Sequence, residues 1–108
     1  MSFHLFRINE LYSNASGSVQ FIEFTISNIN GESFWQGQSI DVIQGNAVHS
    51  FRFTTNLPNP NTANKSVLIA TQSFANLNLI TPDYIVPDGF LFTSGSATVN
   101  FADADAVT

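Results

Sequence analysis

Between Phe6 and Ser27 the chain places two runs of β-branched and aromatic residues, FRINELYS and VQFIEFTIS, on either side of the polar break NASGS. That pattern predicts an antiparallel hairpin. With Tyr12 set opposite Val19, strand alternation puts Phe6, Ile8, Glu10, Tyr12, Val19, Phe21, Glu23 and Thr25 on one face. Leu5, Arg7, Asn9, Leu11, Gln20, Ile22, Phe24 and Ile26 take the other. Both faces carry large apolar groups, so the hairpin is expected to be covered on both sides over part of its length.

The same alternation and the same punctuation continue along the chain. Asn30-Gly31 marks a tight turn. Ser39 to Gln44 and Ala47 to Thr55 form a second hairpin around Gly45-Asn46, with His49, Phe51 and Phe53 on its core-facing side. Asn56 to Asn64, with Pro58 and Pro60, is a loop. Ser66 to Thr71 reads as a buried central strand, and Thr71 can cap a single helical turn near Ser73. Tyr84 to Val86, Phe90 to Thr93 and Ala97 to Phe101 complete the strands. Spacing of this kind, with Gly, Pro and Asn at the turns, predicts an all-β sandwich or barrel with helix limited to about one turn. The expected core includes Phe21 or Phe24, Phe51, Phe53 and Ile69.

Certain motifs in these strands resemble a known family. Ile8-Asn9-Glu10, followed after a short polar loop by Phe21-Ile22-Glu23, is similar to the opening of lamin-tail-like domains in bacterial secreted proteins. So are Val67 to Thr71 leading into Ser73-Phe74-Ala75, and Pro82-Asp83-Tyr84 before Gly89-Phe90. The resemblance touches most of the chain through short, mainly structural motifs. It implies an immunoglobulin-like antiparallel β-sandwich without enzymatic activity. It also implies an extracellular or periplasmic setting, with an export signal that is not in this chain. Residues 1–108 are read as one such domain, and relatives that look longer leave room for a C-terminal segment that would complete its last edge.

Composition narrows the chemistry. A chain of 108 residues, 44% hydrophobic, is long enough to bury a core without staples. Only 10% of its residues are charged, against about a quarter in ordinary domains, so repulsion between copies is weak. The net charge is −5, with Arg7, Arg52 and Lys65 the only basic side chains, which argues against nucleic acid. No cysteine is present, which excludes disulfides and thiolate chemistry. No apolar run approaches the ~18 residues of a membrane helix.

Candidate chemistry follows from what is left. Glu10 and Glu23 are the one carboxylate pair that a glycosidase reading would use, but such a pair needs a cleft between its members. Paired structural carboxylates are the preferred reading. No G-x-S-x-G elbow or phosphate-binding glycine loop occurs. Asp83, Asp88, Asp103 and Asp105 offer hard oxygen ligands from loops and make calcium the cofactor to consider, with solvated turn aspartates as the default. Trp35, Tyr12 and Tyr84 are the candidate stacking platforms for a carbohydrate, although for the single Trp a core position is preferred. Two functions therefore stand: a structural or interaction module, self-assembling through sheet edges at Ala97 to Phe101 or Phe3 to Ser13, and a binder of small ligands such as sugars.

Overall fold

A computed structural model describes residues 6–26, 35–57, 65–95, 97–101 and 105–107, the last three in backbone only. The Asn30-Gly31 turn, most of the Asn56 to Asn64 loop and Asp103 lie outside the described residues. Eight strands and one helical turn follow each other in the order β1 Arg7–Ser13, β2 Gln20–Thr25, β3 Ser39–Gln44, β4 Ala47–Arg52, β5 Ser66–Thr71, α1 Gln72–Ala75, β6 Tyr84–Val86, β7 Thr98–Phe101 and β8 Asp105–Val107. They make two four-stranded sheets, β1-β2-β5-β6 and β4-β3-β7-β8. All pairs are antiparallel except β5 with β6, which run parallel. The parallel pair departs from the all-antiparallel expectation. After β5 the chain turns through α1 and a long connection before β6, and that crossover returns it in the same direction.

The first hairpin forms, in a different register from the one expected. Tyr12 faces Phe21, Leu11 faces Ile22 and Glu10 faces Glu23, after which the register shifts and Ile8 faces Phe24. Asn9 is the extra residue of a β-bulge. Because side chains alternate, one inserted residue moves everything before it to the opposite face. Phe6 and Ile8 thereby join Leu11, Ile22 and Phe24 on the inner face instead of accompanying Glu10 and Tyr12 outside. Phe6, Ile22 and Phe24 are almost fully buried, while Glu10 and Tyr12 are exposed. The inner face is dry, and the outer face is covered over part of its length, where Phe21 lies between Tyr12 and Phe74.

The second hairpin has the expected turn. Gln44 pairs with Ala47 across Gly45-Asn46, and of these two residues only Gly45 has positive φ, at 58°. Glycine first with φ above zero is the type II′ pattern, whose twist suits adjoining antiparallel strands. Phe51 is half-buried against the core and Phe53 fully buried. Thr71 caps α1 as expected, its hydroxyl accepting from the Phe74 N–H at 3.3 Å.

Trp35 stands at the centre of the molecule with no exposed surface. Its ring lies 5.3 Å from Phe6, 5.4 Å from Phe24, 5.0 Å from Phe53, 5.9 Å from Tyr84 and 4.8 Å from Phe101, centroid to centroid. Most of these contacts are edge-to-face or tilted, the arrangements that ring quadrupoles favour. Phe24 and Tyr84 come from one sheet, Phe101 from the other, and Phe53 follows directly on β4. One indole therefore joins both layers. Ile40, Val42, Val67, Ile69, Val86 and Val99 fill the space around the rings.

Two further expectations are corrected. Phe90 to Thr93 is not a strand, for a reason given below. Ala97 to Phe101 is not a sheet edge: β7 lies between β3 and β8, with Phe101 opposite Asp105 and Val99 opposite Val107. Among the described residues the outer strands of the two sheets are β1, β6, β4 and β8.

Candidate functional site

At one end of the sandwich, residues 87–95 run between the β1–β2 loop and the β3–β4 turn. A buried glutamine holds them there. Gln20 is 1% exposed, and its side-chain amide mimics a strand partner for Leu91. Its Oε1 accepts from the Leu91 N–H at 2.9 Å, and its Nε2 donates to the Leu91 carbonyl at 2.8 Å. The second Nε2 hydrogen goes to the Ser13 hydroxyl at 2.9 Å. Leu91 obtains from a side chain the bonds that a ladder would supply, so the segment needs no neighbouring strand. That is why the run Phe90 to Thr93, apolar enough for a strand, does not form one. Thr71, fully buried, ties the same region to α1: it accepts from the Gln20 N–H at 3.2 Å and donates to the Ser18 carbonyl at 2.7 Å. The carbonyl of Gly17, a residue at φ +78°, accepts from the Gly89 N–H at 2.8 Å. A Cβ there would come within 3.1 Å of Thr93 Cγ2, so the close approach of the two loops requires glycine.

Two clefts flank this segment. The first, about 370 Å³, is lined by Leu11, Tyr12, Ser13, Val42, Leu91, Phe92, Gly95, Ala97 and Val99. None of these is charged. The volume lies at the low end of the range for small-ligand sites. Leu11 is the telling residue: it shares the inner face with Ile22, yet 39% of it is exposed. Beside Leu11 the apolar interior opens to solvent. The second cleft, about 340 Å³, is lined by His49, Ser50, Pro87, Asp88, Gly89 and Phe90. There His49 stacks on Phe92 at 4.3 Å and donates from Nδ1 to the Phe90 carbonyl at 2.8 Å, since a carbonyl can only accept. His49 is half-buried, bonded and set on the core-facing side of β4, as its position in the strand implies.

The candidate platforms are not brought together. Trp35, enclosed by rings, offers no face to a ligand. Tyr84 is 7% exposed and its hydroxyl donates to the Thr55 carbonyl at 2.8 Å, which makes it a core residue. Tyr12 alone remains at the surface, 46% exposed, with one ring face stacked on Phe21 at 5.5 Å. Burial, reinforced by the nearby Asp83 carboxylate, raises the Tyr84 phenol above its ordinary 10.0. A folded value above the unfolded one means that the stability linked to Tyr84 is intact below pH 10 and is lost as pH rises through the folded value. In alkaline denaturation, Tyr84→Phe is therefore expected to flatten the loss of stability above pH 10 relative to the parent chain; parallel curves would contradict the assignment.

The acidic candidates are also dispersed. Asp83 uses its carboxylate to accept from the Leu68 N–H at 2.9 Å, while its own N–H donates to the Leu68 carbonyl at 2.7 Å, so it extends the β5–β6 pairing by one step. Asp88 is exposed in the turn at the second cleft. Asp105 lies in β8 with its side chain undescribed, and Asp103 is outside the described residues. Among the described residues no three or more His, Asp or Glu side chains come together as a metal site. Glu10 and Glu23 do face each other, on the open outer face of β1 and β2 and outside both clefts. Asn9 Nδ2 donates to Glu23 Oε1 at 2.7 Å, so the bulge residue supplies the donor that eases the like-charge pair.

A different feature escaped the sequence reading. Leu77, Leu79 and Ile80, in the connection between α1 and β6, are 51%, 73% and 62% exposed, and Ile85 on edge strand β6 is 40% exposed. The available signal was three large aliphatic residues within four positions, next to a Pro and an Asp, in a stretch with no strand alternation. Among the described residues no helix is long and apolar enough to cross a membrane. In comparison with known proteins, the chain matches no family model, no curated protein and no solved structure.

Proposed function

We propose that this domain is a non-catalytic protein-contact module, working through apolar surface on a rigid all-β frame. The observation that carries this reading is the exposed loop Leu77, Leu79 and Ile80, which holds three large aliphatic side chains in water although the core is well filled. Exposed apolar clusters of this kind mark contact surfaces. The low charge of the chain adds little repulsion to such contacts. The lamin-tail-like resemblance, in this reading, assigns the domain to an exported protein outside the cell or in the periplasm. Immobilised domain, challenged with surface and secreted proteins of its source, is expected to retain a partner that the double variant Leu79→Ser, Ile80→Ser loses at unchanged melting temperature. Equal retention by both proteins would contradict the role of this loop.

A carbohydrate-binding reading keeps one observation, the exposed ring of Tyr12 beside the first cleft. Glycan-array binding abolished by Tyr12→Ala would favour it. Calcium enters neither reading.

A further inference from the structure

We infer that the cleft between β4 and the turn at residues 87–90 is a binding site for a guanidinium group, with Asp88 as its anionic partner. The site lies apart from the aliphatic loop and goes beyond the protein-contact reading. A turn builds it. The Phe90 N–H donates to the Pro87 carbonyl at 3.2 Å, and Gly89 between them has φ +73°. Positive φ at the third position of a four-residue turn is the type II pattern, which sets Asp88 at the corner. Two further bonds pin this turn to its neighbours. Gly89 donates its N–H to the Gly17 carbonyl at 2.8 Å, and the Phe90 carbonyl accepts from His49 Nδ1 at 2.8 Å. The concavity of about 340 Å³ beside β4 is therefore preformed, as ligand sites commonly are.

The chemistry of the lining selects the ligand. His49, Ser50, Pro87, Asp88, Gly89 and Phe90 include one carboxylate and no Lys or Arg. Arg52, two residues along β4, holds its guanidinium beside Gly37, where a Cβ would lie 3.7 Å from Nη2. Asp88 is exposed and has no hydrogen-bond or ion-pair partner among the described residues. His49 uses its Nδ1 hydrogen on Phe90, so in the neutral ring Nε2 is an acceptor, and it too lacks a partner among the described residues. Asp41 stands opposite Ser50 on β3 and adds a second carboxylate beside it. An acceptor-rich cleft of this kind, in a chain of net charge −5, favours a cationic donor and disfavours an anion. Guanidinium fits better than ammonium. Its planar fork meets a carboxylate through two parallel bonds, and its weak hydration suits the apolar walls of Pro87 and Phe90.

The test follows backbone amide chemical shifts while N-acetylarginine amide, or its uncharged analogue N-acetylcitrulline amide, is added to the intact chain. The arginine probe is expected to shift His49, Ser50, Asp88, Gly89 and Phe90 saturably, and the citrulline probe to leave them unmoved. Asp88→Asn keeps a good turn residue at the corner, so its melting temperature is expected to stay unchanged. Its binding of the arginine probe is expected to weaken about tenfold or more, the usual effect of losing a charge-assisted bond. Glu10→Gln removes the same charge from outside the cleft and is expected to leave binding within about twofold. The blocked pentapeptide Ala-Ala-Arg-Ala-Ala separates the two sources of the group. Binding tighter than that of the arginine probe assigns the site to an arginine of a protein partner, and binding no tighter assigns it to a free guanidino compound. Equal shifts from both small probes, no shift at these residues, or the same loss in Glu10→Gln as in Asp88→Asn would overturn the inference. Any of these leaves the protein-contact reading to its own partner test, since the cleft shares no residue with Leu77 to Ile80.

Discussion

Trp35→Ala is expected to destabilise the domain by about 3–5 kcal/mol or to leave it unfolded, because a large aromatic truncation in a packed core removes contacts and leaves a cavity. Native domains hold only about 5–15 kcal/mol in total. The indole touches rings from both sheets, and Phe24, Phe101, Phe53 and Tyr84 would all line the vacated space. Those rings are held apart by two different sheets, so collapse onto the cavity requires the layers themselves to move. Urea unfolding followed by circular dichroism measures the effect. A near-native midpoint for Trp35→Ala would mean that the indole is a surface group after all and would restore it as a stacking platform.

Gln20→Leu is expected to be nearly as damaging, although it exchanges a polar residue for an apolar one of similar size. The Leu91 N–H and carbonyl, in a residue 8% exposed, would lose their partners together. A buried backbone group left unpaired costs ~1–3 kcal/mol, so the pair sets the loss at about 2–6 kcal/mol. Gln20→Glu adds a diagnostic. An ionised carboxylate offers only acceptors to the Leu91 carbonyl, whereas the protonated acid can donate to it. In that variant burial should hold the carboxyl above the ordinary 4.3 or so of glutamate. Stability is then present at low pH and is lost as pH rises through the folded value, opposite to the usual behaviour of a paired carboxylate. A Gln20→Leu domain as stable as its parent would show that residues 90–92 are held by something other than this amide.

The elements read directly from the sequence are those governed by local chemistry. Gly45-Asn46 between two alternating runs specifies a hairpin, and its registers from Ser39–Arg52 to Gln44–Ala47 follow from the two-residue turn. Thr71 before Gln72 specifies a cap. The longer β1–β2 loop fixes no register, and alternation alone cannot reveal that Asn9 is a bulge. Its position became visible only where Glu10 and Glu23 came face to face and Ile8 met Phe24. Phe90 to Thr93 misled for a related reason: its apolar pattern suits a strand, but the partner that satisfies it is a single side chain 71 residues away in sequence. The site was less legible than the fold. Aromatic residues are candidates for both cores and platforms, and only the rings around Trp35 and Tyr84 decide in favour of the core. The exposed aliphatic loop at Leu77 to Ile80 and the exposure of Leu11 depend on what does not pack against them, which no local pattern records.

Residue-resolved amide hydrogen exchange, run on the domain alone and with a retained partner protein, tests most directly the claim that this sandwich works through its exposed aliphatic loop. In the domain alone the amides of Leu79 and Ile80 are expected to exchange quickly, while those of Ile22, Ile40 and Ile69 in central strands persist longest. Adding the partner should then slow Leu79 and Ile80 selectively. Leu79 and Ile80 amides that are already protected in the domain alone, or that exchange at the same rate with and without the partner, would contradict the account.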